Sequence, residues 1–127
     1  MHDHERLDVW KRALTLSVTV CRAIARARIT RHRSICAQLE RSISSVPANI
    51  AEGAGQPTDA KFAQFLGIAI GSVTESMSHV SQLEGLGLLS WEDLPAWRAE
   101  LQRIRRMCES LKRRLQAGDR TCQDFCV

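Results

Sequence analysis

At 127 residues, 44% of them apolar and 25% charged, the chain has the length and composition of a single globular domain. Three prolines and no tyrosine argue against a turn-rich β-sandwich and for helices. The formal net charge of +4 admits a polyanionic partner without demanding one, and five cysteines without a paired C-x-x-C leave no zinc-binding pattern.

The charged start His2-Asp3-His4-Glu5-Arg6 has no apolar core segment, so no signal peptide is read there. The longest uncharged run, Phe62 to Thr74, is too short to cross a bilayer. The expected location is the cytoplasm, with no membrane partner.

The first periodic run reads Leu7, Trp10, Leu14, Ser17, Cys21, Ile24, in steps of three and four. That is the seam of a helix packed at a shallow angle, widened by Val9, Ala13, Leu16, Val20 and Ala27. Trp10 is assigned to the core rather than to a stacking platform. Arg28-Ile29-Thr30-Arg31-His32-Arg33 breaks the period and is read as a basic connection.

The second run reads Ile35, Leu39, Ile43, Val46, Ile50, with Pro47 inside it. A proline there removes one backbone donor and frees the Ile43 carbonyl. Ser42, Ser44 and Ser45 stand just before it and are expected to compensate. The helix should stop at Gly53 or Gly55 in a left-handed conformation.

Thr58 is the expected N-cap of the third helix. Its face reads Phe62, Phe65, Leu66, Ala69, Val73, Ser76, Val80, Leu83, and Gly67, Gly71 and Ser72 form a small-residue patch where another backbone should pass. Gly85-Leu86-Gly87-Leu88-Leu89 ends the run. Ser90 or Asp93 should cap the fourth helix, whose seam Leu94, Trp97, Leu101, Ile104, Cys108, Leu111, Leu115 is the cleanest in the chain. Residues 1–118 are therefore read as one all-α domain, an antiparallel up-down-up-down four-helix bundle. Residues 119–127, with Cys122 and Cys126, have no period and are read as a disordered tail.

Two segments carry a resemblance. Val46-Pro47-Ala48-Asn49-Ile50-Ala51-Glu52-Gly53 and Phe62 to Glu75 stand in the order and spacing of the small four-helix-bundle proteins encoded within intervening sequences of bacterial 23S rRNA genes. The resemblance spans roughly residues 7–89. The chain departs from it at Arg6, where the family has an acid, in the strongly basic turn, and at Thr58-Asp59-Ala60-Lys61, which lacks the reciprocal acid of a capping box. The resemblance implies a ring-like homopentamer. A closely similar fold is the accessory protein of diversity-generating retroelements, which binds their reverse transcriptase and nucleic acid.

No catalytic or metal constellation is legible. There is no Glu-x-x-His pair, Glu75 and His79 supply only one edge of a site, and Gly53-Ala54-Gly55 lacks the Lys that a P-loop needs. The expectation is a protein that is not an enzyme and holds neither cofactor nor metal. Arg41, Asn49, Glu52 and Glu75 match polar positions of the resembled family. On one reading Arg41 pairs with Glu75 across two helices while Asn49 and Glu52 satisfy backbone groups near Pro47. On the other, Asn49 and Glu52 face a subunit interface or ligand groove.

Basic residues give the functional lead. Arg98, Arg105 and Lys112 repeat every seven residues as one stripe, with Arg106 and Arg113 beside it, and the first turn adds Arg26, Arg28, Arg31 and Arg33. Arginine suits bidentate phosphate contacts, and no aromatics interleave to read bases. These residues form either a solvated face or a nucleic-acid surface. The leading expectation is a homo-oligomeric protein that binds structured RNA or an RNA–DNA hybrid by its backbone. The alternative is an accessory subunit that docks on a reverse transcriptase.

Overall fold

Each of the four apolar runs closes into a helix. The computed structural model describes residues 1–89 and 93–118. Among them α1 is Asp8–Ala27, α2 Arg33–Ala54, α3 Asp59–Leu86 and α4 Asp93–Gln116, with a short 3-10 turn at His4–Arg6 and no strand. Ser90 and the tail 119–127 lie outside the described residues.

The buried face of α1 is rotated from the expected seam. Val9, Ala13, Leu16, Ser17, Val20 and Ile24 are buried, whereas Trp10 and Cys21 are half-buried and Leu14 is 40% exposed. Two overlapping apolar stripes run along this helix, and periodicity ranks them equally. Only the stripe lying between α2 and α4 is covered. Trp10 packs at the edge of the core, where its ring also meets His4 edge-on with centroids 4.8 Å apart.

The first connection is shorter than its basic run. Arg28 ends α1 at φ 48° and His32 opens α2 at φ 56°, so Arg33 is already helical. Further along, Pro47 sits inside α2. The neighbouring serines do not bond the Ile43 carbonyl that it frees. Ser42 Oγ donates to the Leu39 carbonyl (3.2 Å) and Ser45 Oγ to the Ser42 carbonyl (2.8 Å). The same hydroxyls reach across to other helices: Ser45 lies 2.6 Å from Ser72 Oγ, and Ser42 lies 2.8 Å from Ser76 Oγ. Ser44 meets Ser17 of α1 at 3.2 Å. Short hydroxyls thus satisfy one another while letting the helices draw close.

Closest approach falls at Gly53, not at Gly67 or Gly71. A methyl group on Gly53 would sit 2.7 Å from Phe65 Cβ and 2.9 Å from Phe62 Cδ1. One on Gly67 would meet only the Lys112 ammonium at 3.3 Å, and one on Gly71 would meet nothing within 4 Å. The α2 helix stops at Gly55, whose φ of −79° is right-handed rather than left-handed. Thr58 caps α3 as its position suggests, accepting from the Lys61 amide at 3.2 Å. Gly87, at φ 66°, ends that helix: its amide bonds the Glu84 carbonyl and the Leu88 amide bonds the Leu83 carbonyl. Asp93 already lies within α4 rather than capping it, and all seven seam residues are buried.

Residue pairs between neighbours run in opposite order. Gly53 meets Phe62, Ser45 meets Ser72 and Ser42 meets Ser76, so partners rise along α3 as they fall along α2. Lys112 over Gly67 and Arg98 beside Glu84 give the same sense for α3 and α4. The α2–α3 interface is the most extensive and the α1–α4 interface the thinnest. The N-terminal segment closes one end, where the His2 amide takes the Ala54 carbonyl at 2.7 Å. No described helix is long and apolar enough to cross a membrane.

Gly53→Ala should destabilise the protein by about 2 kcal/mol, because Phe65 Cβ is fixed to its backbone and the helices must part. Gly71→Ala should stabilise it by about 0.5–1 kcal/mol, the propensity gain at an open helix position. Urea denaturation of both variants checks the pair. Burial, with Glu109 adding to it, pushes the Cys108 thiol up from 9.0 to about 12. The folded chain therefore holds a proton that the unfolded chain releases near pH 9. Stability should be intact below that pH and fall as pH rises toward 12, by about 1.4 kcal/mol per pH unit. Burial raises Cys21 and Cys36 in the same direction. Denaturation midpoints at pH 8 and 10.5, with Cys108→Ala as control, measure the slope.

Candidate functional site

Two of the three residues in the heptad-spaced stripe on α4 are neutralised by acids. Arg98 donates to Glu84 Oε2 at 3.1 Å and to Ser81 Oγ at 3.3 Å. Arg105 pairs with Glu109 at 3.1 Å. Lys112 lies half-buried across α3 at Gly67. The cause is rotational: these three positions flank the core seam on the side facing α3, which supplies Glu84. Exposed pairs of this kind contribute little stability, but they cancel the local field.

The other flank of α4 faces α1, and there the cations converge. Arg103, Arg106 and Arg114 of α4 and Lys11 and Arg12 of α1 line one groove with a volume of about 690 Å³, together with Asp8 and Ser110. That is the size range of small-ligand clefts. Arg12 forms a two-pronged bond with Glu100, from Nε to Oε1 at 2.8 Å and from Nη2 to Oε2 at 3.1 Å. This fork ties α1 to α4 where their contact is thinnest. Lys11, Arg103 and Arg106 are exposed and have no acidic partner within 4 Å among the described residues. Arg113 is exposed on the outer side of α4. Farther along the same seam Lys11 and Arg12 share the lining with Thr19, Trp97 and the acids Asp93 and Glu100, so cations and acids balance there and the positive excess lies in the other half.

The first-turn arginines are a separate group. Arg26, Arg28, Arg31 and Arg33 are all exposed. They follow the end of α1 that approaches Asp93, whereas Arg113 lies at the other end of α4, roughly 30 Å away at 1.5 Å per residue. The two basic groups do not form one surface.

The four polar residues of α2 and α3 also part company. Glu75 approaches His79 Nε2 at 3.4 Å rather than Arg41, which is exposed on α2. Asn49 donates from Nδ2 to the Ser45 carbonyl at 2.8 Å, one turn back across Pro47. The Glu52 side chain is exposed.

Sequence reading missed Lys11, Arg12 and Asp8 as site residues and left Arg103 and Arg114 outside the stripe. A signal for the α4 part was present. Arg103, Arg106, Ser110 and Arg114 recur at steps of three and four on one flank of the seam. Which flank lies open depends on the neighbouring helix.

A family model described as 23S rRNA-intervening sequence protein matches residues 5–110. The match extends past the two segments that carry the resemblance and takes in Asp8, Lys11, Arg12, Arg103, Arg106 and Ser110 of the groove. No curated protein matches the chain.

Because Arg103 and Arg106 are exposed and unpaired, Arg103→Ser/Arg106→Ser should change stability by less than about 0.5 kcal/mol. Glu100→Ala, which strands Arg12, should cost about 0.5–1 kcal/mol after allowance for solvent screening. Thermal melts in low and high salt separate the two.

Proposed function

This chain belongs to the family of 23S rRNA-intervening sequence proteins, and we propose that it is a non-catalytic, cytoplasmic, homo-oligomeric protein that grips the phosphate backbone of structured RNA or an RNA–DNA hybrid. The observation that carries this reading is the α1–α4 groove, where five cations face one lining acid, Asp8. Arg103 and Arg106 are free to fork onto phosphate oxygens. Among the described residues the groove's lining includes no aromatic side chain to stack on a base. Binding is therefore driven by charge and counterion release, with little sequence readout.

Self-association is supported by the second apolar stripe of α1. Leu14 and Val18 are each 40% exposed, one turn apart, beside the half-buried Trp10 and Cys21. A ring such as a homopentamer would cover that stripe and repeat the groove around an axis, turning a weak contact into a multivalent one. The separate first-turn arginines, Arg26, Arg28, Arg31 and Arg33, leave a second cationic surface for a protein partner such as a reverse transcriptase.

Gel shifts against a structured RNA test the reading. Retardation should appear at low salt and weaken with a log–log slope of about −2 to −3, as expected for about three phosphates held per groove. Arg103→Glu/Arg106→Glu should lower affinity by about tenfold or more, and Arg98→Glu/Arg105→Glu by much less. Absence of retardation at low salt, or equal losses in the two pairs, would sink it. Light scattering gives the oligomer number independently.

A further inference from the structure

The groove holds two groups that a grip on phosphate alone does not use. Asp8 is half-buried among the cations, and its carboxylate has no hydrogen-bond or ion-pair partner among the described residues. Its place in the first turn of α1 favours the helix dipole. In a site for polyanions, however, a bare carboxylate repels the ligand and weakens binding unless the ligand brings a donor to it. Ser110 stands on the opposite wall, on the flank of α4 that carries Arg106 and Arg114, with a hydroxyl that both donates and accepts.

The geometry points to a ribose-phosphate site: Lys11, Arg103 and Arg106 hold the phosphate, while Asp8 accepts, and Ser110 shares, a hydrogen bond with the neighbouring 2′-hydroxyl. Deoxyribose has no such donor, so a DNA strand in the groove would leave Asp8 facing its phosphates unrelieved. The site is thereby selective for RNA, since the 2′-hydroxyl is the group that distinguishes the two polymers at a given position. This rests on the phosphate-binding reading above and adds the sugar to it.

Fluorescence anisotropy of the full chain against an RNA hairpin and the DNA hairpin of the same sequence tests it. RNA should bind about tenfold more tightly, the size of one hydrogen bond to a charged group. Asp8→Ala and Ser110→Ala should each move the ratio toward one. With Asp8→Ala, RNA affinity should fall while DNA affinity holds or rises, because a repelling charge has gone. A purely structural loss at either position would weaken both polymers together. Equal wild-type affinity for RNA and DNA, or a ratio that neither variant moves, would overturn the sugar assignment and leave the phosphate grip standing. Binding of neither polymer would remove both. Adenosine monophosphate carries the same ribose-phosphate chemistry, and its displacement of labelled RNA at RNA-like concentrations would reassign the groove to a mononucleotide.

Discussion

Two helices come close only where both give up side-chain volume, and in this protein α2 and α3 do so along their shared length. Gly53 lets the backbone of α2 ride against Phe62 and Phe65, and Ser42, Ser45, Ser72 and Ser76 place hydroxyls where larger side chains would hold the helices apart. Each hydroxyl finds a partner in the facing helix or in its own backbone, so closeness is reached without leaving polar atoms unsatisfied. The rest of the bundle is arranged around this pair. The long apolar seam of α4 fills the open side of α3. Between α1 and α2 two short hydroxyls, those of Ser17 and Ser44, meet at 3.2 Å.

The looseness of the remaining seam follows from that arrangement. The α1–α4 boundary is the thinnest of the four, and the fork between Arg12 and Glu100 spans it. A seam closed by a polar fork rather than by interdigitated apolar side chains leaves a groove. What lines the groove is decided by the flanks of the two helices. On one flank of α4, Arg98 meets Glu84 of α3 and Arg105 meets Glu109 of its own helix, so most of that flank's charge is paired. The opposite flank meets α1, which brings Lys11 and Arg12. Free positive charge therefore gathers at the weakest join of the bundle, in a concave site where a field is focused.

Much of the fold was legible in the residues. The α4 seam was read position by position, because its large apolar residues keep to a single face and most other positions are polar. Thr58 and Gly87 announced the ends of α3 through local chemistry that needs no neighbour: a hydroxyl at a β-region cap, and a residue without a Cβ at positive φ. The site was less legible. Arg98, Arg105 and Lys112 share a spacing, but spacing does not say whether an acid waits across the interface. Similarly, Arg41 and Glu75 were matched by sign alone, whereas Glu75 lies one turn from His79 on its own helix.

From the sequence alone came four helices, the Thr58 cap and glycine stop of α3, the family and an excess of arginine on the last helix, because periodicity, capping and composition are properties of a segment by itself. Tertiary structure decided which of two apolar stripes on α1 is buried, that Gly53 rather than Gly71 takes the close contact, and which arginines stay free. Those are statements about pairs of segments. A helix has the same residues on every flank whatever surrounds it, and only the neighbour that packs there determines whether a methyl group fits, a leucine is covered or a guanidinium is neutralised.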